Sequence, residues 1–451
     1  MRHGYVCRTV SVGGLYHSIA CRQHMGIMID TSCFPRHPYR MDGSADGMRQ
    51  ARGGGFAGHM HASCWPTAPL GALVDCLDAG RVPLNRAQRA RCPGPVPYHG
   101  ASGVAGYVDR ALFDGPLVLL GEDSAPFFDS VRDVAFFHDG PLWAGNHVHV
   151  LRPRIGVDGR FLAHALNTLS YAAYVDGTTR PKLTRARMNS LPVPCPPLQH
   201  QRAIAQALDH HLDRIDRQLR ELDVQAMTAS EYTQAATHHA LLPSGAAWPG
   251  PVPAGGTIRP LGSVFDIVGG GTPATGNAAC WGHDVAWLTP ADLPAGPPAW
   301  VDHGARSLSA MGLAACRAAV AEAGALVVST RAPVGRVGMT ASPVSVSQGC
   351  KALVPRAADV DLRFLALLLH VAAPELRRRA GGSVFPEVDT RTLASLELCL
   401  PPLPRQRAVA QEVWEMLDRQ ARRAYARERL RAVLCEYRPA LRQAHVNGQA
   451  T

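Results

Sequence analysis

Two adjacent carboxylates, Glu122 and Asp123, follow an apolar run near the middle of the first half of the chain. Such pairs serve general acid–base chemistry or hold divalent metals. No spaced acidic pair followed by Lys, the pattern of many nucleases, is present, and Lys182 and Lys351 are the only lysines. Glu122–Asp123 therefore reads better as a turn that holds loop structure or accepts from a cytosine amine. Gly269–Thr272 has the glycines of a phosphate loop but lacks the Lys that reaches the phosphates, so it reads as a turn. The Asn/Asp-Pro-Pro-aromatic tetrapeptide of amino-methyltransferases is absent, and His238-His239 sits at a helix end. Twelve cysteines occur with no C-x-x-C pair, which argues against a zinc finger and a disulfide framework and for reduced thiols in the cytoplasm. The first 64 residues add Cys7, Cys21, Cys33 and Cys64 to six histidines, none at finger spacing. The expectation is no catalytic residue, no metal site and no cofactor bound by this chain.

What the polar residues can do is bind. The chain carries 46 basic against 36 acidic residues, a formal +10 charge that favours polyanions. Apart from the two lysines the basic residues are arginines; a GC-rich genome explains most of that excess, but the planar guanidinium also matches guanine edges and phosphates.

These residues need elements to carry them, and an internal repeat organises the chain. Pro196–Gln206 reads PPLQHQRAIAQ and Pro401–Gln411 reads PPLPRQRAVAQ, identical at eight of eleven positions at an offset of 205. The same offset matches Gly177 and Pro181 with Gly382 and Pro386, Leu212-Asp213-Arg214 with Leu417-Asp418-Arg419, and Glu231-Tyr232 with Glu436-Tyr437. Pro69-Leu70-Gly71 matches Pro260-Leu261-Gly262 at an offset of 191. Each copy is thus a variable region followed by a shared segment. From Leu198 to Leu241 there is no Gly or Pro, and Leu208, Leu212, Ile215, Leu219 and Leu222 are spaced as a coiled-coil seam. Some 40 residues of helix make a rod of about 60 Å. In the second copy Val413, Leu417, Ala424, Leu434 and Leu441 hold part of the seam, Gln420 interrupts it, and Pro439 is expected to kink or end the rod early. The two stripes are most simply buried against each other. Pro243–Gly256 reads as a linker. The variable regions, rich in Gly, Pro, aromatic and β-branched residues with short apolar runs (Pro116–Gly121, Val131–Phe137, Ala325–Thr330), suggest mixed α/β domains. The longest apolar run, Phe364–Ala373, is half of the roughly 20 residues that span a bilayer.

The succession of motifs resembles the specificity subunits of type I restriction–modification systems. In the first variable region it is carried by GRVPLN (Gly80–Asn85), GPLVLLGED (Gly115–Asp123), NHVHVLRP (Asn146–Pro153) and TTRPKLT (Thr178–Thr184). In the second it is carried by GGGTPAT (Gly269–Thr275), WLTPADL (Trp287–Leu293), STRAPVGRV (Ser329–Val337), SQGCKALVP (Ser347–Pro355) and GGSVFPEV (Gly381–Val388). The repeated PPLxxQRxIAxxLD is similar to the family's shared region, and the resemblance covers Trp65 to Ala444. It implies an α+β fold with two target-recognition domains, each followed by a long helix, the helices pairing as an antiparallel coiled coil. The implied layout is an N-terminal extension at 1–64 (a mis-started gene or a disordered arm), recognition domains at 65–190 and 257–395, and helices at 191–243 and 396–447.

The resemblance also implies sequence-specific binding of double-stranded DNA, a modification subunit docked on the helices and a restriction subunit completing a nuclease, with S-adenosylmethionine, ATP and Mg on those partners. On the helices the residues assigned to subunit interfaces are Leu198, Gln201, Arg202, Ile204, Leu208, Leu212, Ile215, Leu219 and Leu222, with Leu403, Gln406, Arg407, Val409, Val413 and Leu417. Base readers are sought among Arg, Lys, Asn and Gln on loops. Thr178, Thr179, Arg180 and Lys182 form one such loop, with Asn146 and His147 nearby candidates. Ser329, Thr330 and Arg331 form another; Gln348 and Lys351 flank Gly349, where backbone could approach a phosphate; and Ser383 completes the set. Two antiparallel copies would match the two-fold symmetry of duplex DNA, so unlike domains would read a bipartite, asymmetric site with half-sites about one helical turn, ~10 bp, apart. Two other readings stay open: a coiled-coil assembly scaffold, and a recognition module fused to a cryptic nuclease or methyltransferase activity.

Overall fold

A computed structural model describes residues 64–129, 131–177, 180–242, 248–382 and 386–449. They fall into two compact units, the first of them built from two separate stretches of chain. The described parts of Pro35–Gln225 and Tyr425–Thr451 form the first, and Ala226–Ala424 forms the second.

In the first unit the elements run β1 (Thr67–Pro69), α1 (Leu70–Leu73), β2 (Val74–Cys76), α2 (Arg86–Arg91), β3 (Val96–Gly100), β4 (Gly103–Val108), β5 (Leu117–Gly121), β6 (Ala135–His138), β7 (Trp143–Ala144), β8 (Val148–Pro153), α3 (Gly159–Leu166), α4 (Arg185–Asn189) and β9 (Pro192–Pro194), followed by the long helix α5 (Leu198–Leu241). The main sheet has the order β2-β8-β5-β6, all antiparallel, beside a three-stranded sheet β4-β3-β7 and the pair β1-β9. Strand β5 is buried along its whole length because both of its faces are covered. Val118 and Leu120 pack into a core with Phe161, Leu162 and Leu166 of α3. Leu117 and Leu119 alternate to the other side, against Leu142, Val148 and Val150. Each fully buried leucine of this kind contributes about 1.5–3 kcal/mol.

The second unit repeats the plan with β10 (Thr257–Pro260), α6 (Leu261–Val264), β11 (Phe265–Gly269), β12 (Trp281–Leu288), β13 (Ala299–Trp300), β14 (Arg306–Leu308), α7 (Ala310–Cys316), β15 (Val320–Ala321), β16 (Leu326–Ser329), β17 (Val337–Met339), β18 (Val344–Val346), β19 (Cys350–Pro355), α8 (Leu362–Val371), α9 (Ala373–Arg379), α10 (Thr390–Ala394) and β20 (Glu397–Leu400), then the second long helix α11 (Leu403–Val446). Its sheets have the orders β11-β19-β16-β17-β13 and β14-β12-β18-β15, with β10-β20 as the terminal pair. Strand β16 is the counterpart of β5: Leu326 and Val328 face the core under α8, and Val327 faces a second core with Val344 and Ala352. The apolar run expected from sequence around Phe364–Ala373 is α8, six of whose residues are buried in that core.

The fold class is the one the sequence implied, with the seams closed inside each unit. In the first unit Leu208, Leu212 and Ile215 of α5 share a core with Leu434, Leu441 and Val446 of α11. Asp216 pairs with Arg438 and Asp223 with Arg431, so the helices run antiparallel there. In the second unit Val409, Val413 and Leu417 of α11 share a core against which Ala240 and Leu241 of α5 pack. The expected early end of the rod is overturned: α11 runs through Pro439 and continues to Val446. The ring removes one helix hydrogen bond, at about 3 kcal/mol. Arg438 and Arg442 on either side are tied to Asp133, Arg442 by two hydrogen bonds of 2.7 and 3.2 Å. With Leu441 and Val446 buried within the next two turns, tertiary contacts outweigh the local penalty.

Each mixed α/β region is joined to its rod by the same side chain. Gln201, buried on the first turn of α5, donates to Pro196 O (2.9 Å) and Gly156 O (3.2 Å) and accepts from Asp158 N–H (2.8 Å). Gln406 at the start of α11 donates to Pro401 O (2.8 Å) and Asp359 O (3.2 Å) and accepts from Asp361 N–H (2.9 Å).

Candidate nucleic-acid interface

In the first unit the exit of β5 is a meeting point. Glu122 N–H donates to His147 O and Leu183 N–H donates to Glu122 O, which brings the β5 exit, the loop before β8 and the segment 180–183 together. Arg81 is the hub beneath. Its guanidinium donates to Glu122 Oε2 at 2.6 Å and Val148 O at 2.8 Å. Lys182 Nζ lies 3.3 Å from Glu122 Oε1 and 3.6 Å from Asp123 Oδ1; His147 Nδ1 lies 3.4 Å from Asp123 Oδ2; Arg180 Nε donates to Ser124 Oγ at 3.5 Å. Asn146, His147, Arg180 and Lys182 are all exposed. The expected readers among the described residues of this unit are thus gathered on one surface, while Glu122 and Asp123 are held as acceptors in the turn. Thr178 and Thr179 lie outside the described residues.

Arg81 is anchored in turn by a cluster that sequence reading missed. His149, almost fully buried, faces Asp78 Oδ2 with Nδ1 (2.6 Å) and Leu183 O with Nε2 (2.9 Å), and Asp78 also accepts from Val150 N–H (2.9 Å). Burial works to raise the Asp78 carboxyl, but the hydrogen bonds from His149 and Val150 and the nearby Arg81 charge hold it below the ordinary carboxylate range. Cys76 Sγ completes a trio whose ligand atoms lie within 4.8 Å of one another, a spacing that could hold a metal. The chemistry of the donors speaks against it. Burial pushes the Cys76 thiol up, away from the thiolate a metal needs, and both imidazole nitrogens already face protein oxygens. The spacing Asp78…His149 carries no motif, so no sequence signal could have found the cluster.

In the second unit the exit of β16 is built alike. Thr330 and Arg331 both donate backbone N–H to Gly349 O (2.8 and 3.2 Å), and Val388 N–H donates to Thr330 O (2.9 Å). Here two expected readers move inward. Ser329 and Thr330 are 1% exposed. Ser329 Oγ donates to Pro333 O at 2.6 Å and accepts from Arg336 N–H, and Thr330 Oγ1 donates to Gly349 O at 3.3 Å. Their hydroxyls hold the turn and do not face solvent. Gly349 is buried too; a Cβ there would meet Pro290 Cγ at 2.9 Å, so its lack of a side chain serves internal packing and not the approach of a phosphate. Arg331 and Gln348 remain at the surface; Lys351 lies on β19 with Nζ 3.7 Å from where a Gly269 Cβ would stand. Ser383 lies outside the described residues.

On the rods, Gln201, Leu208, Leu212, Ile215, Gln406, Val409, Val413 and Leu417 are buried within the chain itself, and Leu198, Ile204, Leu219, Leu222 and Leu403 are half-buried. Arg202 and Arg407 are exposed. The helix faces left open also carry Val224, Met227 and Tyr232 on α5 and Tyr425, Leu430 and Val433 on α11. Among the described residues no helix is long and apolar enough to cross a membrane.

Two units of one plan, each a mixed α/β module with basic loops at a strand exit and a long helix behind it, define a class of paired recognition modules. Comparison with known proteins places the chain in it. The model of the type I restriction modification DNA specificity domain matches twice, at residues 65–222 and 253–422. The chain belongs to this family. It is 32% identical over 141 residues to a putative type I restriction enzyme specificity subunit of Haemophilus influenzae, covering 31% of this chain and 36% of that protein. It is 27% identical over 162 residues to the type I restriction enzyme MjaIX specificity subunit of Methanocaldococcus jannaschii, covering 36% and 38%. The chain thus spans little more than a third of these two relatives. A chain of a solved type I restriction–modification assembly superposes with a TM-score of 0.63 at 20% identity, covering 85% of this chain and 98% of the other. The HsdS subunit of Thermoanaerobacter tengcongensis superposes with a TM-score of 0.52 at 20% identity, covering 85% and 97%.

Proposed function

We propose that this chain is the specificity subunit of a type I restriction–modification complex and reads a bipartite, asymmetric site on double-stranded DNA. The observation that carries the reading is the duplicated strand exit: two units present cationic loops at the same place, with unlike residues on them. Like positions with unlike readers give two different half-sites, and the rods set the unread spacer, about one helical turn or ~10 bp by default. Arg and Lys on these loops match guanine edges bidentately and phosphates by charge.

The chain supplies recognition and leaves the chemistry to partners. A modification subunit docks on the exposed faces of the rods, which carry Arg202, Val224 and Met227 on α5 and Arg407 and Val433 on α11. A restriction subunit completes the nuclease. S-adenosylmethionine, ATP and Mg belong to those subunits, and the proposed setting is the cytoplasm. Methylome sequencing of the host, with the gene intact and deleted, tests the reading. The expected result is a bipartite modified motif that disappears on deletion; an unchanged methylome in a strain that makes the complex would sink it.

A further inference from the structure

The two strand exits are built on the same backbone frame. In the first unit Asp176 and Lys182 exchange N–H···O bonds of 3.1 and 2.9 Å, and Leu183 N–H donates to Glu122 O at 2.8 Å. In the second Gly381 and Glu387 exchange bonds of 3.0 and 2.9 Å, and Val388 N–H donates to Thr330 O at 2.9 Å. Gly177 and Gly382, next along each segment, both take a positive φ, of 92° and 98°. Asp123 therefore corresponds to Arg331, and Lys182 corresponds to Glu387; each two are bridge partners across the frame. In both units they form an ion pair. Lys182 Nζ lies 3.6 Å from Asp123 and 3.3 Å from the neighbouring Glu122; Arg331 Nε lies 3.1 Å from Glu387. The polarity is reversed: the cation comes from the loop in the first unit and from the strand exit in the second.

Stability does not explain this arrangement. The frame is already closed by three backbone hydrogen bonds, and pairs whose cations are 47% and 41% exposed add little in high dielectric. A stabilising pair also works equally well in either polarity. What the reversal changes is where positive charge is presented. A carboxylate offers two acceptors to a guanidinium or an ammonium, as the O6/N7 edge of guanine does. It also repels phosphate, so a cation paired to it is withheld from arbitrary duplex and released where a better acceptor competes.

We propose that Asp123–Lys182 and Arg331–Glu387 are one base-reading latch written in opposite polarity, each carboxylate holding its cation until a guanine edge of the cognate half-site displaces it. Glu387 and Asp123 are thereby specificity determinants although they carry the charge of the wrong sign for DNA. The inference rests on the function proposed above.

The test uses the full chain assembled with its modification subunit and duplexes carrying the host motif or single-base changes in one half-site, at several salt concentrations. Glu387→Gln is expected to tighten binding of duplexes altered in the second half-site about 10-fold while the cognate duplex changes less, since one good bidentate contact is worth roughly that discrimination. Penalties for changes in the first half-site stay as in the parent. The double exchange Arg331→Glu with Glu387→Arg keeps the ion pair and the thermal midpoint, and is expected to lose second half-site discrimination about 10-fold or more. If the exchanged protein discriminates as the parent does, the pair is structural and the proposal falls. If the exchange weakens every duplex alike and lowers the salt slope by about one, the cation contacts a phosphate and the base-reading assignment falls. A parent complex with no sequence selectivity overturns the function itself, an outcome distinct from either of these.

Discussion

His99 shows what a single buried side chain does to the chain's response to acid. It is 4% exposed on β3, and neither ring nitrogen has a hydrogen-bond partner. Burial, with the nearby His138 charge adding to it, lowers its pKa from the ordinary 6.5 to about 4. The folded form therefore refuses a proton that the unfolded chain accepts between these values. Stability is unaffected above pH 6.5 and is lost progressively as pH falls through that window toward 4. His99→Phe removes both the orphaned nitrogens and the titration. It is expected to raise the stability of the first unit by ~1–3 kcal/mol and to flatten its acid sensitivity; unfolding curves at pH 7 and pH 5 measure both. The same scale explains what sequence reading of the site got wrong. Ser329, Thr330 and Arg331 are consecutive polar residues, and nothing in their types says that only the third faces out; the alternation of a buried strand and the acceptors at Pro333 and Gly349 decide it. The reversed pair was hidden for a geometric reason: the loop partners match at an offset of 205 and the strand partners at 208, so no single register shows them together.

At the scale of elements, Pro439 separates local preference from tertiary fact. Read alone it stops a helix; in place it is spanned by Arg438, Leu441 and Arg442, whose partners lie on α5 and at Asp133. Pro439→Ala restores the hydrogen bond to the carbonyl one turn earlier and is expected to stabilise the first unit by ~1–3 kcal/mol, part of the gain being offset by the greater freedom of the unfolded chain. A thermal midpoint equal to or below that of the parent would show that the ring is itself a packing element. The rods were the most legible part of the chain, because PPLxxQR marks two helix starts at once and the leucines after it keep coiled-coil spacing. The sheets were less legible. Strands such as β5 and β16 are covered on both faces, so they lack the apolar–polar alternation that would have assigned their sides.

At the scale of the molecule, the units exchange helix ends. The described part of Tyr425–Thr451 belongs with the first recognition region and not with the second, which precedes it in sequence. Deleting Tyr425–Thr451 strips Leu434, Leu441 and Val446 from the first core, each worth ~2–5 kcal/mol as a large-to-small change. Limited proteolysis is expected to cut first within residues 64–225 while 226–424 stays protected; preferential cleavage in 257–395 would contradict the division. Replacing residues 65–190 by another recognition domain is expected to change one half-site of the modified motif and leave the other, with methylome sequencing as the readout.

The joint made by Gln201 and Gln406 has a consequence for how such chains diversify. Every partner of the two side chains is a main-chain carbonyl or N–H: Pro196, Gly156 and Asp158 in one unit, Pro401, Asp359 and Asp361 in the other. Main-chain groups are common to all sequences, so the coupling asks nothing of the side chains in the domain it holds. A foreign domain needs only to bring one carbonyl and one amide to the right place to be seated at the standard angle. Readers can then be shuffled between lineages by recombination within the shared segment, and specificity can change in a single genetic event without the frame having to co-evolve.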